Sequence, residues 1–192
     1  MKPSSIPKRE ALLEPLLRSL RLRRVIAEIP PRSIVLDIGC GHRAAFLKAI
    51  APQIDQGFGV DFKVDSAQTG NIQTLQVMLD DQLPFEDNCF DVVTMLAVLE
   101  HIEYEKPILK EVYRVLKPNG KLVLTVPSIW AQPVLEFLSF KLKIVDQAEI
   151  LDHKRYYDRR RLKKVLTLDS PFQNFQHRYF QFWMNNFCTV VK

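Results

Sequence analysis

Val35-Leu36-Asp37-Ile38-Gly39-Cys40-Gly41 is the stretch whose reading decides the fold of this chain. An apolar run is interrupted by one acid and then breaks into a glycine-punctuated turn. After His42-Arg43, the segment Ala44-Ala45-Phe46-Leu47-Lys48-Ala49-Ile50 reads as a helix. Strand, tight turn and helix start together make a grip for a nucleotide-bearing ligand. Glycines let the backbone come close to a ligand, and the first N–H groups of a helix have no partner within it. Asp37 adds a negative charge at the mouth of the turn. A phosphate would be repelled there, whereas a cationic ligand would be held.

The spacing Gly39-Cys40-Gly41-His42-Arg43-Ala44 also fits the dinucleotide fingerprint G-x-G-x-x-G/A, and Asp61 closes the next apolar run, Gly59-Val60-Asp61. That places Asp61 near the distance, roughly 20 residues, at which such folds carry an acid for a ribose diol. The turn by itself does not separate a nicotinamide dinucleotide from another adenosine-bearing cofactor, because each presents the same diol.

Further along stand Leu83-Pro84-Phe85-Glu86-Asp87-Asn88-Cys89-Phe90-Asp91-Val92-Val93, then Leu99-Glu100-His101-Ile102. Leu109-Lys110-Glu111-Val112-Tyr113-Arg114-Val115-Leu116-Lys117-Pro118-Asn119-Gly120 follows, and after it Leu122-Val123-Leu124-Thr125-Val126-Pro127. With the D-x-G-x-G turn, the LPF…FD block and the L-K-P-x-G turn in this order, the chain resembles the class I S-adenosylmethionine-dependent methyltransferases, in their small stand-alone branch. The resemblance is specific from about Val35 to Val126 and looser to Lys192.

It implies a doubly wound, mostly parallel α/β sheet of Rossmann-like type with a C-terminal antiparallel hairpin, and S-adenosyl-L-methionine as cofactor. It also implies roles for particular residues. Asp37 would sit near the methionine amino group of the cofactor, and Gly39, Cys40 and Gly41 would form the turn against its methionyl and ribose part. Asp61 would take the ribose hydroxyls, and Asp80 or Asp81 the adenine amine, with Asp80 favoured. Phe62 would pack on the adenine face or merely cover core. Ala97 and His101 would border the cofactor after the fourth strand. His153, in Leu151-Asp152-His153-Lys154-Arg155-Tyr156-Tyr157, resembles a segment near the acceptor and is the expected base or orienting group. Arg43 departs from the pattern, since the family often has a third glycine there, so its guanidinium is expected to turn away from the cofactor.

The residues themselves support this arrangement. Ile34–Ile38, 57–61, 74–79, 90–95 and 121–126 read as strands, Lys106–Val115 and Asp158–Leu166 as helices, and the tail from Phe175 to Val191 as two antiparallel strands. Alternating strands and helices select an α/β sheet, whose ligands bind beyond the carboxyl ends of its strands. Asp37, Asp61, Asp80, Asp81 and Ala97 all fall at or just past such ends. The connection from Phe62 to Gln73 is short and polar, with room for little helix. Residues 1–30 read as a helical lead-in, 127–157 as an apolar and aromatic cover over the acceptor side, and 1–192 as one domain.

Composition bounds the rest. Hydrophobic residues make up 47% and charged residues 26% of 192, the proportions of a soluble globular domain. Met1–Lys8 has no apolar core of a secretory signal, and no apolar run nears the roughly 18 residues of a membrane span. Three scattered cysteines argue for a reducing, cytoplasmic setting and against a disulfide framework or metal site. A net charge of +5 gathers at Arg18–Arg24 and Lys154–Lys164 without the aromatic signature of an RNA-binding surface, so nucleic acid is disfavoured as partner. The expected acceptor is a small molecule, a glycan or a lipid-linked precursor. A non-catalytic methyltransferase-like binding protein is the alternative. A nicotinamide-dependent oxidoreductase is disfavoured for want of a catalytic Tyr-x-x-x-Lys pattern and a substrate domain.

Overall fold

The run Ile34–Ile38 forms β1, and four of its five residues are buried, as its nearly unbroken apolar pattern requires. The computed structural model describes residues 14–78, 82–136 and 154–192. Ahead of β1 lies α1 (Glu14–Ile26), and after it come α2 (Ala45–Ile50), β2 (Gln56–Asp61), β3 (Ala67–Thr69) and β4 (Ile72–Gln76). Next are β5 (Phe90–Leu96), α3 (Glu105–Val115), β6 (Leu116–Pro127) and α4 (Ala131–Glu136). The chain closes with α5 (Arg159–Lys163), which runs into a π-turn, and the hairpin β7 (Gln173–Phe180) and β8 (Asn185–Val191).

The strands make one sheet in the order β3-β4-β2-β1-β5-β6-β8-β7. Parallel pairing joins β4, β2, β1, β5 and β6, while β8 runs antiparallel to β6 and β7 to β8. From β1 the chain moves outward through β2 and β4, then crosses to β5 on the other side of β1. The reversal opens a crevice at the carboxyl ends of β1 and β5, the place where ligands bind in such sheets. This is the doubly wound α/β fold with the C-terminal hairpin that the sequence predicts.

Alternation along the strands gives two cores. Leu36, Ile38, Val93, Met95, Leu122 and Leu124 face α3 and α5, while Val35, Val92 and Val123 face α1 and α2. Three elements differ from the sequence reading. The third long strand occupies Ile72–Gln76 rather than 74–79, because its ladder with β2 runs from Gly57↔Ile72 to Asp61↔Gln76 and stops with its partner. Leu79 lies outside the described residues. The Phe62–Gln73 connection holds the short antiparallel β3, which turns back onto β4 through Gly70 at φ 60°. Strand β6 begins at Leu116, before the Lys117–Gly120 turn, because Leu116 pairs with Phe90 across an irregularity in the ladder.

Candidate functional site

Asp37 is the penultimate residue of β1, paired with Gly59 on one side and Thr94 on the other, and it is 2% exposed. The hydroxyl of Thr94 donates to Asp37 Oδ1 at 2.6 Å. Burial, opposed by this hydrogen bond and reinforced by the nearby charge of Asp61, raises the Asp37 carboxyl from 3.8 to about 7. An acid in that position gains from any cation that enters beside it. Asp61, at the end of β2, accepts from Gly41 N–H at 2.9 Å through Oδ2 and from Lys63 N–H at 2.7 Å through Oδ1. Each oxygen of an ionised carboxylate has capacity for a further donor, which is what a vicinal diol supplies.

The turn between these acids is held by backbone. Gly39 N–H and Cys40 N–H both reach the carbonyl of Val60, at 2.8 and 3.2 Å. Gly39 (φ 75°) and Gly41 (φ 67°) lie in the left-handed region, where a side chain is strained. They differ in surroundings. A Cβ on Gly39 would stand 2.3 Å from Val98 Cγ2, whereas one on Gly41 would meet nothing within 4 Å. Val98 thus closes one side of the turn, and the space over Gly41 is open.

The helix start contributes less than the sequence reading expects. Ala44 has φ 44° and no capping side chain, α2 has only six residues, and the Gly41 N–H is committed to Asp61. What the turn offers a ligand is therefore carboxylate charge rather than an anion cradle. His42 and Arg43 are exposed. Cys40 is half-buried, and burial together with the charges of Asp37 and Asp61 pushes its thiol up to about 12.

Phe62 is exposed next to Asp61, with Lys63 Nζ 4.8 Å from its ring centre. Ala97 turns the chain after β5 at φ 60°, its N–H bonded to Thr125 O at 2.8 Å. His101 is half-buried in the same loop, its N–H bonded to Val98 O at 3.0 Å. The structure thus gathers Asp37, Gly39, Cys40, Gly41, Asp61, Phe62, Ala97 and His101 at the carboxyl edge. Asp80, Asp81 and His153 lie outside the described residues, as does 137–153 of the expected acceptor cover.

Both flanks of that cover reach one place. Ser128 N–H bonds Met184 O at 2.9 Å as the chain leaves β6, and on its return Lys154 N–H bonds Glu100 O at 2.9 Å. Tyr157, fully buried, donates its hydroxyl to Glu105, while Arg155 pairs with the same carboxylate at 3.2 Å. Tyr157 O accepts from Asn186 Nδ2 at 3.0 Å and from Ile129 N–H at 3.0 Å.

Sequence reasoning missed Thr94, which lies mid-strand and gives no local signal. It also left the LPF…FD and L-K-P motifs without a purpose. Their polar members are structural. Asp91 accepts from Ile34 N–H at 2.8 Å and from Lys117 Nζ at 2.8 Å, tying the starts of β1, β5 and β6 together. Arg114 grips Glu111 with two bonds, at 2.9 and 2.7 Å, and donates to Phe85 O, Leu83 O and Asp87, while Glu111 accepts from Leu83 N–H at 2.9 Å. One correction follows for the rival enzyme. The spacing Tyr-x-x-x-Lys is present, at Tyr113 and Lys117. Lys117 is engaged by Asp91 and Tyr113 packs edge-on against Phe172, both at the amino edge, so the pair cannot serve chemistry at the turn. Among the described residues no cluster of His, Cys, Asp and Glu could hold a metal, and no helix is long and apolar enough to cross a membrane.

Comparison with known proteins agrees with the geometry. Residues 36–124 match the family described as "Methyltransferase domain". A demethylmenaquinone methyltransferase of Bacillus cereus is 34% identical over 110 residues, 51% of this chain and 46% of that protein. The chain thus aligns with about half the length of the curated relatives it matches. A methyltransferase structure from Archaeoglobus fulgidus superposes with TM-score 0.67 at 20% identity over 92% of this chain and 94% of that one. A chain of the Haloferax volcanii complex of the Trm112 methyltransferase activator with a methyltransferase gives TM-score 0.72 at 15% identity, over 91% and 90%. At these identities the superpositions speak to the fold alone. The family match runs from the turn through the strand that closes the parallel sheet, a little under half of the chain, and over this stretch the chain is similar to the methyltransferase domain family.

Proposed function

We propose that the chain transfers a methyl group from S-adenosylmethionine to a small organic acceptor, with the donor held over the Gly39–Gly41 turn. The observation that carries this reading is the pair of acids flanking an open turn. Asp37 is buried and suited to an ammonium, and Asp61 has an acceptor site left on each oxygen. When bound, the cofactor supplies a methyl group already made electrophilic by its sulfonium. The chain then has to bind, orient and exclude competitors, and orientation alone can supply much of the acceleration. Cys40 beside the turn stays protonated, because its thiol is pushed up to about 12, so it does not compete for the methyl group.

The relatives named demethylmenaquinone methyltransferase favour a small organic acceptor over a glycan. The acceptor side is assigned to 127–157, a reading supported by the anchoring of Ser128 and Lys154 at the same sheet edge. Asp61→Ala tests the donor site. Loss of two ligand bonds to a carboxylate should weaken S-adenosylmethionine binding by on the order of 2 kcal/mol in calorimetry. Unchanged affinity would remove Asp61 from the site. Binding by the wild type without transfer from labelled cofactor to any quinol or phenol acceptor would instead favour a non-catalytic binding protein.

Arg43→Gly supplies a contrasting result. The guanidinium is solvent-exposed, so its removal should change cofactor affinity by no more than about threefold, the scale of a screened surface charge. A larger gain would show that the arginine obstructs the turn.

A further inference from the structure

The exposed large apolar side chains are not scattered. Among the described residues, all but Leu168 stand at or beside the carboxyl edge of the sheet. The densest group lies away from the acid pair, beyond β6 and the final hairpin. Phe182 is 99% exposed, Trp183 67%, Trp130 58% and Ile129 41%. Ser128 joins the two segments that carry them: its N–H bonds Met184 O, and its hydroxyl bonds Trp183 O and receives Trp130 N–H. Gln181, Phe182 and Trp183 all have positive φ, 51°, 54° and 66°. Three successive non-glycine residues in the left-handed region form a strained turn, and such turns recur at binding surfaces.

Arginines surround this tip. The Arg24 guanidinium lies 5.5 Å from the ring centre of Phe180 and 5.9 Å from that of Phe187, at the base of the turn. Helix α1 runs down from the carboxyl edge, since Glu28, two residues past its end, pairs with Lys121 near the start of the long straight part of β6. Leu20, one turn above Arg24, is therefore at the edge as well, and it is 45% exposed. Arg178 is exposed on β7 two residues before Phe180, and Arg159 N–H bonds the Tyr179 hydroxyl from the other face. Among the described residues, the nearby acid Asp158 is occupied in capping α5 at Arg161 N–H.

We infer that the Ile129–Trp130 and Phe182–Trp183 edge docks on the surface of an anionic lipid bilayer. Tryptophan and phenylalanine at a projecting tip enter the boundary between headgroups and acyl chains, and the arginines behind them meet anionic headgroups. This deepens the proposed function by placing an apolar acceptor within reach of the carboxyl edge. Its test requires neither cofactor nor turnover, so its failure leaves the donor-site reading intact.

The chain contains two tryptophans, Trp130 and Trp183, and both are in the patch, so intrinsic fluorescence reports on it directly. Adding vesicles of phosphatidylcholine with about one-third phosphatidylglycerol should shift the emission to the blue and carry the protein into the pellet on sedimentation. A Phe182→Ser variant and an Arg178→Glu variant should each bind about tenfold more weakly, with thermal unfolding and S-adenosylmethionine affinity unchanged. No shift and no sedimentation by the wild type would overturn the inference. So would a blue shift that follows protein concentration without vesicles and disappears in Phe182→Ser, because the face would then belong to a second copy of this chain.

Discussion

Asp37→Asn is expected to make the protein more stable at pH 8 while weakening its grip on S-adenosylmethionine about a hundredfold. The two effects have one cause. The carboxyl is buried on all sides, and its charged form is costly until a cation arrives. With its value raised from 3.8 to about 7, the folded protein holds a proton across that window that the unfolded chain has released. Stability from this group is therefore fully present below pH 3.8 and is lost as pH rises through about 7, an effect on the order of 4 kcal/mol.

Asparagine has nearly the same shape, can still accept from the Thr94 hydroxyl and does not ionise. At pH 8 it should recover about half of that loss, raising the Tm by roughly 5 °C, and the gain should vanish near pH 4. The cofactor would lose a charge-assisted partner for its ammonium, worth about 2 to 3 kcal/mol. Calorimetry and thermal unfolding of the two proteins measure both quantities. An Asp37→Asn protein that binds normally, or that is less stable at pH 8, would contradict this role.

The second large effect is expected far from the site. Arg114→Met should destabilise the fold by about 3 kcal/mol, because it strands the nearly buried Glu111 carboxylate and removes the guanidinium donor from the Phe85 carbonyl, while Leu83 O keeps its bond from Phe85 N–H. The pair is partly open to solvent, with side-chain exposures of 24% and 11%, which keeps the figure at the low end for such pairs. Replacing Glu111 by Leu in the same protein should recover part of the loss, since no lone charge then remains. The hydrogen bond from Arg114 also lowers the Glu111 carboxyl below 4.5, so this contribution is present above that value and disappears as acid protonates it. Urea unfolding of the single and double variants decides the matter. A single variant within about 0.5 kcal/mol of the wild type would mean the motif serves something other than stability.

What the sequence disclosed and what it hid divide along physical lines. The parallel strands were legible because burial on both faces leaves continuous apolar runs, as in Ile34–Ile38 and Leu122–Val126. The acids were legible because a charge that closes such a run has no structural reason to be there. Thr94 was not, because its purpose arises only when β5 lies beside β1 and brings its hydroxyl to Asp37, 57 residues away in sequence. The same holds for Asp91, Glu111 and Arg114, whose partners come from separate segments. Their side chains hold the amino edge together. The helix start after the glycine turn was overvalued, since its local pattern gives no warning that Asp61 takes the Gly41 N–H.

The central claim is that the Asp37–Asp61 edge binds S-adenosylmethionine as a cation. Calorimetric titration of the wild type with that ligand, from pH 5.5 to 7.5, tests it most directly. Affinity should fall by up to about tenfold for each pH unit below the free-protein value of about 7, as Asp37 must release a proton before it can pair with the ammonium. Absence of binding heat throughout, or an affinity that does not change with pH, would contradict the account.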